Sequence, residues 1–117
     1  MKTGLRPLHP SHLSLGVSDL DNSERFDREV LGFEPQRVDG DLHIRCERFH
    51  IVLTESPPAG RAKFHFGFKV ETPDEVDAWA VHAKAHGART DQPHNRDGGR
   101  VVFVNDPDDY VIEIYSE

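Results

Sequence analysis

His12-Leu13-Ser14-Leu15-Gly16-Val17 recurs further along the chain as His65-Phe66-Gly67-Phe68-Lys69-Val70. Both stretches read histidine, apolar, small, apolar, any residue, valine. With the two copies superposed, Asp21 falls on Asp74 and Phe26 on Trp79. The ends match as well, His50-Ile51-Val52-Leu53 against Val111-Ile112-Glu113-Ile114. Matches in the same order describe one module present twice, over residues 11–55 and 63–115. Ser56-Pro57-Pro58-Ala59-Gly60 reads as the linker between them.

Each copy is expected to run strand, helix, then strands. Residues 12–17 alternate apolar and small and read as a strand. Asp21 is the expected cap of the first helix, with Glu24 at its third position and Gly32 as its stop. Phe26 and Val30, four apart, form its buried stripe. The second helix carries Thr72 as cap, Pro73 at its first position, Glu75 completing a capping box and Gly87 as its end. Val76, Trp79, Ala80 and Ala83 are its expected buried face. Strands follow at 34–38, 41–46 and 49–54 in the first copy, and at 88–92, 100–105 and 110–115 in the second. Their turns fall at Asp39-Gly40, Glu47-Arg48, Asp97-Gly98-Gly99 and Asp106-Pro107-Asp108-Asp109. The expected fold is α+β: two β-α-β-β-β modules forming a cupped mixed sheet, with residues 1–117 as one domain.

Composition narrows the partners. The 117 residues carry a formal net charge of −7, which argues against nucleic acid because phosphate backbones need a basic patch. No apolar run suits a membrane span, and Met1 to Pro10 lacks the apolar stretch of a signal peptide. A cytoplasmic protein is therefore expected. A single cysteine, Cys46, leaves no intrachain disulfide and no multi-cysteine zinc site. The eight histidines draw attention, because imidazole is the commonest metal ligand.

Strand alternation sorts those histidines. The face toward the helices takes Leu13, Leu15, Val17, Leu42, Ile44, Ile51, Leu53, Phe64, Phe66, Phe68, Val70, Ile112 and Ile114. The other face takes His12, Ser14, Gly16, His43, Arg45, His50, Val52, His65, Gly67, Lys69, Val111, Glu113 and Tyr115. Such a face suits either a solvated sheet or a curved sheet lining a cleft. His12 and His65 occupy equivalent positions in the two modules, and Glu113 shares their face. Two imidazoles and one carboxylate on strands make a three-ligand set for a divalent ion with open positions. Val52, the counterpart of Glu113, cannot ligate. The open positions would admit water or substrate oxygens.

These segments resemble the vicinal oxygen chelate superfamily, which includes glyoxalase I, bleomycin resistance proteins, fosfomycin resistance enzymes and extradiol dioxygenases. The resemblance runs from His12-Leu-Ser-Leu-Gly-Val-Ser-Asp-Leu-Asp-Asn-Ser-Glu-Arg-Phe and Leu31-Gly32-Phe33 through His65-Phe-Gly-Phe-Lys-Val and Gly98-Gly99-Arg100. It ends in Asp106-Pro107-Asp108 and Ile112-Glu113-Ile114-Tyr115. It implies paired modules cupped around a metal, usually in a dimer, with ligands at His12, His65 and Glu113. Glyoxalase I and methylmalonyl-CoA epimerase use four protein ligands, so Val52 sets this chain closer to the fosfomycin and extradiol patterns. Phe103 stands where both of those carry tyrosine. His94 is the nearest match to the dioxygenase acid-base histidine, at a different spacing. Residues 92–97 lack the lysine of the fosfomycin enzymes. Asp109 replaces a usual glycine, and Asp27 a frequent tyrosine.

Two functions follow as expectations. One is a metal-dependent lyase, transferase or dioxygenase acting on a small oxygen-chelating substrate. Its cofactor would be a divalent Mn, Fe, Ni, Co or Zn ion at His12, His65 and Glu113. Glu113, Arg45 and His50 are the candidate catalytic residues, and Arg45, His43 and His50 are placed to orient an anionic group or move a proton. The other is a metal-free small-molecule binder like the bleomycin resistance proteins. A homodimer is expected in either case, because a bare cupped face in so short a chain calls for completion. His12 would meet the other two ligands from its own chain or from its partner.

Overall fold

A computed structural model describes residues 4–6, 10–57 and 65–117. Phe64, the first residues of the second module and the linker from Pro58 to Gly60 lie outside the described residues, as do parts of the first ten. The elements run β1 (His12–Val17), α1 (Leu20–Glu29), β2 (Gln36–Val38), β3 (Asp41–Cys46), β4 (Phe49–Glu55), β5 (His65–Lys69), α2 (Pro73–Ala85), β6 (Arg89–Thr90), β7 (His94–Arg96), β8 (Gly99–Asn105) and β9 (Val111–Tyr115). They build two mixed sheets of matching order, β1-β4-β3-β2 and β5-β9-β8-β6, with β7 added against β8. In each sheet the first strand pairs parallel with the last and the other pairs are antiparallel. The β-α-β-β-β repeat read from the sequence is therefore the architecture, with one extra short strand in the second half.

β7 was not expected. Asp97 and Gly98 take φ of 48° and 82°, both left-handed, and fold β7 back on β8 as a two-residue hairpin. The polar run His94-Asn95-Arg96 has no apolar alternation, so only the turn signalled it. The first helix also starts earlier than expected. Asp19, not Asp21, is its cap, and the Asp19 carboxylate accepts from the Asn22 N–H at 3.1 Å. Starting there carries Leu20 into the core at 5% exposure, while Asp21 stays outside and pairs with Arg37. Glu24 consequently lies past the first turn and binds Arg28 and Arg37 rather than the cap. In α2 the expected signals hold: the Thr72 hydroxyl accepts from the Glu75 N–H at 3.3 Å and Pro73 opens the helix. Trp79 is only half-buried.

The helices do not each cover only their own sheet. Phe26, Val30 and Leu31, in and just after α1, pack with Val76, Ala80 and Ala83 of α2 and with Val102, Val104, Ile112 and Ile114 of the second sheet. Leu15, Val17, Leu42, Ile44, Ile51 and Leu53 of the first sheet form a second cluster that reaches across to Tyr110. Phe33, Phe66 and Phe68 touch both clusters. One apolar interior thus lies between the two sheets, and the polar face of each sheet points away from it. The seam is stitched by the fully buried Tyr110, whose hydroxyl donates to Gly16 C=O at 2.7 Å, and by Asp108, which accepts from the Ser18 N–H. Tyr110→Phe orphans that carbonyl and should cost about 1–2 kcal/mol, read as a lower denaturant midpoint at unchanged slope.

Asp27 is the anomaly of this interior. It is 7% exposed, and its Oδ2 has no hydrogen-bond partner. Burial, reinforced by the nearby Asp106 carboxylate, pushes its carboxyl up to about 8. Asp106 is itself raised to about 6 by burial, although it accepts from the Asp108 and Tyr110 N–H groups. A raised carboxyl favours the folded state when protonated, so its stabilising contribution is lost as pH rises toward 8. Asp27→Asn should therefore melt higher than the parent chain at pH 8, by several degrees, and converge with it near pH 4, as thermal unfolding at the two pH values will show.

Candidate metal centre and cleft

The pairing register defines the outer face of the second sheet. Glu113 lies beside Gly67 on one flank and Phe103 on the other. His65 precedes Gly67 on the same face, and Lys69 follows it. From β7, His94 and Arg96 share this side, opposite Val101 and Gly99. Along β5, β7, β8 and β9, Glu113 is the one acidic side chain on the face. It is set between Ile112 and Ile114, which are 2% and 3% exposed on the helix side. Its own exposure is 9%, so the carboxylate is largely out of water. Such a charge needs compensation.

Compensation comes from two sides. His65 Nε2 lies 3.5 Å from Glu113 Oε2, and Arg96 Nη2 is ion-paired with Oε1. Arg96 also sits over the Phe103 ring, 5.9 Å from its centroid. Gly67 makes room for the arrangement, since a Cβ there would stand 3.2 Å from both the Cβ and the carbonyl oxygen of Glu113. The donor chemistry and spacing of His65 and Glu113 suit a divalent ion: ligands bound at about 2.1 Å and roughly tetrahedral angles stand about 3.4 Å apart.

The first sheet presents a different face. His12, His50 and Arg45 form one cross-strand row, and Ser14, Val52 and His43 the next. His43 Nδ1 and His50 Nε2 share a hydrogen bond at 2.9 Å. Burial, followed by Arg45, His43 and His12, holds the His50 imidazole below its usual range. Val52 lies beside Ser14, in the place that Glu113 occupies beside Gly67. Of the sequence-predicted site residues, the structure brings His65 and Glu113 together, and gathers His12, His50 and Arg45 on the other sheet. No cluster of three or more His, Cys, Asp or Glu side chains arranged to hold a metal occurs among the described residues. His12 thus does not join His65 and Glu113 within the chain. Arg96 is not legible in the sequence, because the three-residue β7 is polar throughout and carries no alternation that would place it on this face.

The sequence profile of the Glyoxalase/Bleomycin resistance protein/Dioxygenase superfamily matches residues 9–114, and the chain belongs to that superfamily. A manganese-dependent 2,3-dihydroxybiphenyl 1,2-dioxygenase of Geobacillus genomosp. 3 is 28% identical over 115 residues; the match takes in 91% of this chain and 36% of that protein. This chain thus spans about a third of the dioxygenase's length. The fosfomycin resistance protein FosX of Listeria monocytogenes is 24% identical over 117 residues, covering 91% of this chain and 87% of FosX. Among solved structures, lactoylglutathione lyase from Agrobacterium tumefaciens shares the fold at a TM-score of 0.77 and 23% identity, over 94% of each chain. No helix among the described residues is long and apolar enough to cross a membrane.

The close fit at Gly67 generates a stability prediction. Gly67→Ala sets a methyl group against the Glu113 backbone, which the parallel pairing holds in place. It should destabilise the chain by about 1–3 kcal/mol, measured by denaturant unfolding.

Proposed function

We propose that this protein is a divalent-metal-dependent enzyme whose centre is completed in a homodimer. His65 and Glu113 come from one chain and His12 from a second copy. The observation that carries this reading is the 3.5 Å approach of His65 Nε2 to Glu113 Oε2 on an outward face. A first-row ion bound there would supply Lewis acidity toward the oxygen atoms of a small substrate. The rest of the chemistry falls to the side chains. His50 and Arg45 are cross-strand neighbours in the row of His12, so a second copy that supplies His12 delivers them to the same cleft. Arg45 is then placed to orient an anionic group. The His43–His50 hydrogen bond can hold one proton between two rings and pass it to a substrate atom. The manganese-dependent dioxygenase relative supports manganese as the first ion to try.

A second reading is a metal-free small-molecule binder of the bleomycin-resistance type. The Arg96–Glu113 pair favours it, because that pair satisfies the carboxylate with no ion.

Subunit mixing separates a shared centre from one within a chain. His12→Ala and Glu113→Gln homodimers should each lose manganese binding. Their mixed dimer retains one centre with all three ligands intact, so it should bind one ion per dimer, counted by elemental analysis after tag-based separation. A mixed dimer without metal would contradict the shared centre. A wild-type chain that takes up no more divalent ion than the Glu113→Gln variant would leave the binder reading in its place.

A further inference from the structure

Arg96 occupies an unusual position for a residue beside a metal ligand. Its guanidinium is ion-paired with Glu113 Oε1, while Oε2 of the same carboxylate faces His65. The side chain is 40% exposed and lies over Phe103 on the outer face of the sheet, so it can swing without disturbing the interior. It is held there by β7, which the Asp97-Gly98 turn folds back onto β8. Lys69, on the same face, is already tied to Glu117 at 3.1 Å. Arg89, on the adjoining strand β6, is paired with Asp109. A divalent ion on Glu113 would compete with Arg96 for one buried carboxylate. A cation on Oε2 would repel the guanidinium on Oε1 across the shared carboxylate and loosen its hold. A displaced guanidinium would then sit beside the bound ion, with Asp97 of the adjoining turn as the remaining carboxylate that acts on it.

We propose that Arg96 is a built-in counter-ion that a divalent ion displaces from Glu113, and that the freed guanidinium then binds the anionic group of the substrate. The inference rests on the metal-centre reading and adds two things to it. The substrate class is a small oxyanion such as a carboxylate, phosphonate or phosphate, which guanidinium grips through paired N–H donors. Binding is ordered, with metal first, because only the loaded chain has its Arg96 free.

Calorimetric titration with manganese chloride tests the first half. Arg96→Ala and Arg96→Gln should both bind Mn²⁺ roughly three- to tenfold more tightly than wild type, since each removes the competitor. Lys69→Ala, which removes a charge from the same face but none from Glu113, should leave the affinity within about twofold of wild type. Titration with inorganic phosphate tests the second half. The Mn²⁺-loaded wild type should bind phosphate at least about tenfold more tightly than either loaded Arg96 variant, and the metal-free wild type should bind none. If wild type binds Mn²⁺ and the Arg96 variants bind it equally or more weakly, or if Lys69→Ala tightens binding as much, the counter-ion role is overturned. If the loaded variants bind phosphate as wild type does, or the metal-free chain binds it equally well, the anion role is overturned. A wild type that takes up no Mn²⁺ at all is a different result, and it removes the metal-centre reading itself.

Discussion

A carboxylate set between two isoleucines on a central strand can point only one way. Ile112 and Ile114 belong to the interior between the sheets, so Glu113 must face outward, where Gly67 and Phe103 flank it. Its low exposure makes a bare negative charge costly there. The groups around it follow from that constraint. His65 approaches from the edge strand, and Arg96 reaches in from a hairpin whose turn residues adopt left-handed φ. Remove the carboxylate and this face would be an ordinary polar sheet surface with a mild positive excess, in a chain of net charge −7.

The same alternation settles what one chain can and cannot assemble. Both apolar faces turn toward one interior, which α1 shares with the second sheet. The polar faces then point away from that interior. His12, His50 and Arg45 lie on one of them, and His65 and Glu113 on the other. Packing therefore separates donors that the repeat makes equivalent, which is why a second copy enters the proposed function. Asp27 shows what the seam tolerates. It is buried without a partner for Oδ2, and burial beside Asp106 raises its carboxyl and makes the interior pH-dependent.

The repeat, the order of elements and the sorting of side chains onto two faces were legible in the sequence, because period-two alternation over six residues is a strong signal and occurs twice. The cap of α1 was not. Asp19 and Asp21 are chemically equal candidates, and the choice between them rests on burying Leu20, a tertiary effect. β7 was hidden for a related reason: His94-Asn95-Arg96 is polar throughout, so no apolar alternation marks it as a strand. With β7 went Arg96. The pairing of His65 with Glu113 could be anticipated from strand parity, but the separation of His12 from both depends on how the two modules pack, which local pattern does not encode.

Paramagnetic broadening offers the most direct test of the metal centre. Substoichiometric Mn²⁺ added to protein carrying ¹⁵N-labelled histidine should broaden the His65 and His12 ring signals first. His82 in the last turn of α2 and His86 at its C-cap, whose ring centroids lie 4.3 Å apart, should stay sharp. Broadening that begins at His82 and His86, or that affects all the histidines alike, would contradict a centre built on Glu113.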